Sequence, residues 1–398
     1  MISDVDLRAI GMNAALSGGA SLRRVSKTLR LTLVISSLGP GGAERVMAIM
    51  ANYWAEHARE VTLITLASRI HDFYPLHHGV HRIALGLTGT SSHVASAAWN
   101  NLHRLQRLRQ EMRASQPDVV LSFIDQANVL TLAGSLGLRI PVVVSERIDP
   151  RYHDIGSIWA WMRRLLYPQA AALVVQTDGV RGWAERIIKR HAVHVIPNAA
   201  PGSVVRHNDG LDLKPTGRTI VAMGRFALQK GFDILLKAFA RCARKHSDWS
   251  LVILGDGEER GRLEALAVEL GIKDRVNMPG QVKDSFGILC GADLFVLSSR
   301  YEGFPNALME AMAYGRAVIS TDCPSGPREI IRDGVDGVLV LPDNVDALAA
   351  AMDRLMANQM ERQRLGGRAI EVSERFSNEK IMKMWDELLT RTCRVANQ

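Results

Sequence analysis

Short, nearly uninterrupted apolar runs recur along the chain. Each is closed by a glycine-bearing turn and followed by apolar positions at helical spacing. The first run, Leu31-Thr32-Leu33-Val34-Ile35-Ser36-Ser37, reads as a buried strand, and Gly39-Pro40-Gly41-Gly42 as the turn after it. Val46, Ile49, Met50, Tyr53 and Trp54 then fall at i, i+3, i+4, i+7 and i+8, the apolar stripe of an amphipathic helix. Strand, glycine turn and helix together form the opening unit of a doubly wound α/β domain. Further strands are predicted at Val61–Ala67, Pro117–Phe123, Pro141–Ser145 and Ala172–Gln176, with helices over 99–114 and 127–136. Strands alternating with helices imply a parallel sheet covered on both faces.

The pattern breaks between 197 and 217, where Pro197, Asn198, Pro201, Gly202, Asn208, Asp209, Gly210, Pro215 and Gly217 crowd together as a linker. It then restarts. Thr219–Met223 reads as a strand, Gly224-Arg225 as a turn and Gly231–Arg244 as a helix, followed by strands at Ser250–Leu254, Arg275–Met278, Leu294–Leu297, Ala317–Ser320 and Gly337–Leu341. A last helix, about 378–392, carries Ile381, Trp385, Leu388 and Leu389 on one face and needs a domain to pack on. The expected organisation is a mobile extension (1–28), a first Rossmann-like domain (29–200), a second (201–377) and a terminal helix (378–398) that returns to the first. Two such domains facing each other enclose a deep cleft. Ligands of these sheets bind at the carboxyl ends of the strands, so the cleft suits one substrate per domain.

Composition narrows the setting without naming a chemistry. The 398 residues, 47% hydrophobic and 23% charged, can bury a large core without a disulfide or metal. Cys242, Cys290, Cys323 and Cys393 form no Cys-x-x-Cys pair, which fits a reducing compartment and suggests neither a zinc nor a redox motif. No apolar run reaches the roughly eighteen residues of a membrane span, and no signal peptide is visible at the start. The formal charge of +8 points to acidic partners or simply to a solvated basic surface. Two stretches sharpen the first reading. Residues 99–113 combine Arg104, Arg107, Arg109 and Arg113 with Trp99, Leu102, Leu105, Leu108 and Met112, and 158–167 read Ile-Trp-Ala-Trp-Met-Arg-Arg-Leu-Leu-Tyr. Either can be a basic amphipathic helix on an anionic membrane or an ordinary surface helix with snorkelling arginines.

Four segments could carry chemistry. Gly224-Arg225-Phe226-Ala227-Leu228-Gln229-Lys230-Gly231 places two cations between a strand end and a helix start, where helix N–H groups already favour anions; a diphosphate needs such neutralisation. Glu302-Gly303-Phe304-Pro305-Asn306-Ala307-Leu308-Met309-Glu310 follows an apolar strand, with Pro305 suited to a first helical turn. Its two carboxylates could hold the hydroxyls of a ribose and a hexose while backbone N–H groups near Phe304–Asn306 meet a phosphate, although spacing alone equally describes a loop Glu and a surface-helix Glu. Gly41-Gly42 and Gly255-Asp256-Gly257 follow strands and are weak signals on their own, since turns use glycine routinely. His77, His78 and His81 lack a metal-site spacing, and Asp4-Val5-Asp6 lies in the expected mobile extension. No Gly-x-Ser-x-Gly elbow, Walker sequence or complete G-x-G-x-x-G is present; the last absence argues against a nicotinamide dehydrogenase.

From about residue 31 to the final helix, the chain resembles glycosyltransferase family 4 of the GT-B fold. The resemblance rests on Gly224-Arg225 to Lys230-Gly231, Gly255-Asp256-Gly257 to Arg260, and Glu302-Gly303-Phe304-Pro305-Asn306 to Glu310. Gly41-Gly42-Ala43-Glu44-Arg45, Ser145-Glu146-Arg147 and Asp322-Cys323-Pro324-Ser325-Gly326-Pro327 to Glu329-Ile330-Ile331 resemble the amylovoran-biosynthesis-type branch, whose members extend bacterial surface polysaccharides or lipid-linked glycans. The resemblance implies that Arg225 and Lys230 contact the donor diphosphate, that Glu310 holds the ribose and Glu302 the donor hexose beside Gly303, Phe304, Pro305 and Asn306, and that Val282 lies near the base. It implies that Gly41 and Gly42 let the first domain approach the donor diphosphate and the acceptor. Catalysis then falls to Arg225, Lys230 and Glu302, with no metal and no cofactor beyond the nucleotide sugar. Many members carry a His after the strand matching Val142–Ser145; here Arg147 stands there beside Glu146, and both are candidate acceptor or sugar contacts. The function expected is retaining transfer of a hexose from a nucleotide sugar, by family a UDP-sugar, to a lipid-linked saccharide. The setting is the inner face of the cytoplasmic membrane, with an anionic membrane surface and no nucleic acid as partner. A GT-B epimerase of UDP-sugars and a non-catalytic nucleotide-binding scaffold at the membrane are the alternatives.

Overall fold

The computed structural model describes residues 28–87, 94–201, 218–282 and 285–396. The extension 1–27, with Asp4-Val5-Asp6, and linker positions 202–217 lie outside the described residues. The first domain is a seven-stranded sheet: β1 (Arg30–Ile35), β2 (Glu60–Thr65), β3 (Val80–Ala84), β4 (Val119–Phe123), β5 (Val142–Ser145), β6 (Ala172–Val175) and β7 (Val193–Val195). Its order is β3-β2-β1-β4-β5-β6-β7, and every pairing is parallel. The second domain holds β8 (Arg218–Met223), β9 (Trp249–Leu254), β10 (Val276–Gly280), β11 (Leu294–Leu297), β12 (Ala317–Thr321) and β13 (Val338–Val340), ordered β10-β9-β8-β11-β12-β13. In their own count both sheets follow 3-2-1-4-5-6, the doubly wound Rossmann order, and the first adds a seventh strand after it. The two-domain α/β architecture read from the alternating pattern is therefore present.

Side-chain alternation explains the two layers on each sheet. Leu31, Leu33 and Ile35 face one core with Trp54, while Val34 joins Ile64, Val120 and Val144 in the other with Leu108, Met112 and Tyr167. In the second domain, Ile220, Leu251, Ile253 and Val296 face the helices Phe232–Ala243 and Val345–Ala357, and Val221, Phe295 and Leu297 face Asn306–Ala313. Two strands, β3 and β7, were not apparent from periodicity. Both are edge strands, and Val80-His81-Arg82-Ile83-Ala84 and Val193-His194-Val195 are half-exposed, so neither presents an apolar run.

The chain crosses between domains twice, at Ala200 and Phe376, and the Ala200 N–H donates to the Phe376 carbonyl at 2.8 Å. Beyond it, helix Asn378–Ala396 buries Ile381, Trp385, Leu388 and Leu389 in the first domain's core, and Trp54 Nε1 donates to Asp386 at 2.9 Å. The domains meet across the ends where their parallel strands terminate. Asn306 reaches the Gly42 carbonyl, the Thr177 and Ser325 hydroxyls meet at 2.7 Å, and Tyr152 stacks on Tyr301 with ring centroids 6.1 Å apart.

Candidate active site

The second domain supplies one wall from two fused turns. Gly255, at φ +133°, follows β9, and a Cβ there would collide with the Gly224 carbonyl after β8. The Phe226 N–H donates to Asp256 O at 2.8 Å, and Arg260 spans Asp256, Gly255 O and Met278 O. The Gly255-Asp256-Gly257 to Arg260 segment is thus the brace of the site, and it presents the loop carrying Arg225. Arg225 is exposed, and no hydrogen bond or ion pair holds its guanidinium to another described residue. Lys230 behaves differently. Gly231 takes a left-handed turn at φ +61° that closes the short helix Leu228–Lys230, and the Lys230 stem crosses Gly224. Its Nζ donates to Glu302 Oε1 at 2.6 Å, and the Ser299 hydroxyl donates to the same oxygen at 2.6 Å. One cation is paired and oriented; the other is exposed and has no such partner among the described residues.

The segment after β11 forms the floor. Gly303 lies so close to Arg147 O and Gln176 Oε1 that no side chain fits. Phe304 turns into the core against Phe376, so only its backbone can serve a ligand. Pro305 stands at the N-cap, one position before the helix Asn306–Ala313 rather than in its first turn. Glu310 is 3% exposed. Its Oε1 accepts from Arg45 of the first domain and its Oε2 from the Ser285 hydroxyl at 3.3 Å. Val282 lies half-buried against the apolar layer that also contains Met309. The second-domain residues singled out in the sequence therefore gather along one wall.

The first domain contributes helix Gly42–Glu56, whose opening residues touch that wall. The Glu44 carboxylate folds back into the space a Gly41 side chain would fill, and a Gly42 Cβ would come within 3.2 Å of Asn306 Nδ2. Burial raises the Glu44 pKa above its ordinary value, partly offset by hydrogen bonding to its own backbone and by Arg225. Tyr74, donating to Gly41 O at 3.2 Å, is pushed up to about 12, chiefly by burial. Asn198 links Phe304 O and Asn306 to Arg147. Periodicity offers no signal for Asn198, Ser285 or Tyr74, because each acts only through residues distant in sequence.

Glu146 and Arg147 differ in their surroundings. Glu146 is buried in the first domain, accepts from the Tyr167 hydroxyl at 2.6 Å and lies 3.7 Å from Arg163, so its carboxylate serves the interior. Burial raises its pKa to about 7. Arg147 stacks over Phe123 at 4.1 Å and reaches Ser145 and Asn198, with its pKa lowered to about 9 by burial. Elsewhere, the rings of His77 and His78 pack at a tilt, centroids 4.1 Å apart. In the helix Val94–Ala114, Arg104 and Arg109 hold backbone carbonyls and Arg107 pairs with Glu111, so little of the basic face is free. Helix Ser157–Leu166 instead exposes Ile158 (72%), Trp161 (64%) and Leu165 (55%) on one face. Among the described residues, no helix is long and apolar enough to cross a membrane.

Residues 206–372 match the family model described as glycosyl transferases group 1, and residues 41–199 match the glycosyl transferase 4-like domain. The chain is 28% identical over 362 residues to a Campylobacter jejuni undecaprenol-linked glycan alpha-1,4-N-acetyl-D-galactosaminyltransferase, covering 91% of this chain and 98% of that protein. It is 26% identical to the amylovoran biosynthesis glycosyltransferase AmsD of Erwinia amylovora, covering 90% and 99%. An exopolysaccharide phosphotransferase of Streptomyces coelicolor shares 38% identity over 56% of this chain, which spans only 24% of that protein. The crystal structure of Anabaena HepE in complex with UDP aligns with TM-score 0.71 at 19% identity, over 91% of this chain and all of that one, a likeness of fold.

Proposed function

Starting from a chain that belongs to the family 4-type glycosyltransferases of GT-B fold, we propose that it transfers a hexose from a UDP-sugar, with retention, to a lipid-linked saccharide in surface-glycan assembly. The observation that carries this reading is the convergence of Arg225, the Lys230–Glu302 pair and the buried Glu310 on one wall of the cleft. Glu310 holds the ribose hydroxyls as a carboxylate acceptor. Arg225 and Lys230 neutralise the diphosphate, so no metal is needed. As the bond from the anomeric carbon to the diphosphate oxygen breaks, the two cations stabilise the developing negative charge. The acceptor oxygen attacks from the same face, and its proton passes to the departing phosphate oxygen. The relatives' names support the glycan class: one acts on an undecaprenol-linked acceptor and one in amylovoran biosynthesis.

A membrane-bound acceptor requires an approach to lipid. The exposed Ile158, Trp161 and Leu165 stripe, with Arg164 on the same helix, suits the interface of an anionic leaflet. The test is calorimetric titration with UDP, GDP and ADP in EDTA, on the wild type and on Glu310→Ala. Binding of UDP alone, lost in the variant, supports the donor site and leads to a UDP-sugar screen with lipid-linked acceptors. A folded protein that binds none of the three overturns it.

A further inference from the structure

Glu44 and Arg45 are adjacent residues of opposite charge in the first turn of helix Gly42–Glu56, and each meets a different part of the opposite wall. Arg45 ion-pairs with Glu310, whose carboxylate is almost fully buried while the Arg45 side chain remains one-third exposed. A carboxylate so buried needs donors, and here it takes them from Arg45 and Ser285. Glu44 places its carboxylate over Gly41, at the positive end of its own helix, where it feels the charge of Arg225 across the cleft. A carboxylate thus lies within electrostatic reach of Arg225, and a hydrogen-bond donor stands on Glu310.

Those are the two demands a nucleoside diphosphate would meet at the same residues. We propose that Glu44 and Arg45 are an internal surrogate for the donor: Arg45 occupies the ribose carboxylate and Glu44 the diphosphate position, holding the cleft closed until a nucleotide displaces them. The inference rests on the donor-site reading above. The φ of Gly41, −104°, is open to other residues, and a Cβ there would meet the movable end of the Glu44 side chain. The gap that would admit a phosphate is filled by the protein's own anion.

A surrogate competes with its ligand, whereas a contact residue assists it, so the sign of the effect decides. Binding of UDP to the full-length protein is measured by calorimetry for wild type, Arg45→Ala, Arg45→Gln, Glu44→Gln and Glu310→Ala, with the unliganded radius of gyration from small-angle scattering. If the latch is closed in about nine molecules of ten, the apparent affinity is reduced about tenfold. Arg45→Ala and Arg45→Gln are therefore expected to bind UDP about tenfold more tightly and to scatter as a more open particle, with Glu44→Gln shifting the same way by less. Unchanged or weaker UDP binding in folded Arg45 variants overturns the proposal; weaker binding would make Arg45 a nucleotide contact. Should Arg45→Ala not fold, Arg45→Gln, which keeps a polar donor on a shorter, uncharged side chain, decides alone. Loss of UDP binding in Glu310→Ala alongside weakened Arg45 variants leaves the donor site standing and removes only the surrogate. Full UDP binding by Glu310→Ala removes the donor-site reading itself.

Discussion

The two domains begin with the same strand, glycine turn and helix, yet their turns are built to different ends. In the second domain the turn after β8 is locked from behind. Gly255 and Gly257 press on the backbone of Gly224 and Phe226, and the loop offers Arg225 to the cleft while Lys230 is held by Glu302. In the first domain the turn after β1 has no such backbone brace: a Gly41 Cβ would meet the Glu44 carboxylate, and a Gly42 Cβ the end of the Asn306 side chain. Its charges, Glu44 and Arg45, belong to the helix rather than the loop. The fold unit sets where a ligand can sit. The residues around each turn decide whether that turn is a rigid binding wall or a surface that closes against one.

The largest effects should separate the two cations of the rigid wall. Arg225→Ala and Lys230→Ala should each lower turnover by about 10²–10³-fold, the cost of losing one stabiliser of developing charge. Only Lys230→Ala should also lower the melting temperature, because it strands the buried Glu302 carboxylate. Equal melting temperatures in the two variants would refute the structural difference between them.

Next come the glycines. Gly255→Ala places a Cβ against Gly224 O at positive φ and should destabilise by at least about 2 kcal/mol, whereas Gly42→Ala should cost under about 1 kcal/mol. Chemical denaturation of the two variants tests the contrast, and equal losses would show that both turns are equally constrained.

A smaller effect is expected at the exposed stripe of the first domain. Ile158→Ser with Trp161→Ser should reduce cosedimentation with anionic vesicles about tenfold, given roughly 25 cal/mol per Å² of apolar surface returned to water. Unchanged cosedimentation would assign that face another role.

The last concerns Glu146. Its pKa lies near 7 in the folded protein against an ordinary 4.5, so its protonated form favours the fold. That contribution is complete below 4.5 and is lost as pH rises through about 7. Glu146→Gln keeps an acceptor for Tyr167 and should flatten the fall in melting temperature between pH 5 and 8. An unchanged slope would show that Glu146 is not the group responsible.

Periodicity alone determined both domains of this protein, because buried parallel strands must be apolar throughout and their covering helices apolar along one stripe. It missed β3 and β7, where edge strands need no such run. The second-domain residues could be singled out because a turn or a helix start places Arg225, Lys230, Glu302 and Glu310 within one local segment each, close to the strand end that aims it. Tertiary structure decided what those segments face. Glu310 meets Arg45 from 265 positions away, Asn198 joins Arg147 to Asn306, and Glu146 turns inward to Tyr167 while its neighbour Arg147 stacks on Phe123. Hydrogen bonds and ion pairs act over a few ångströms of space and carry no period along the chain, so they become visible only when the chain is folded and the strand ends of the two sheets face each other.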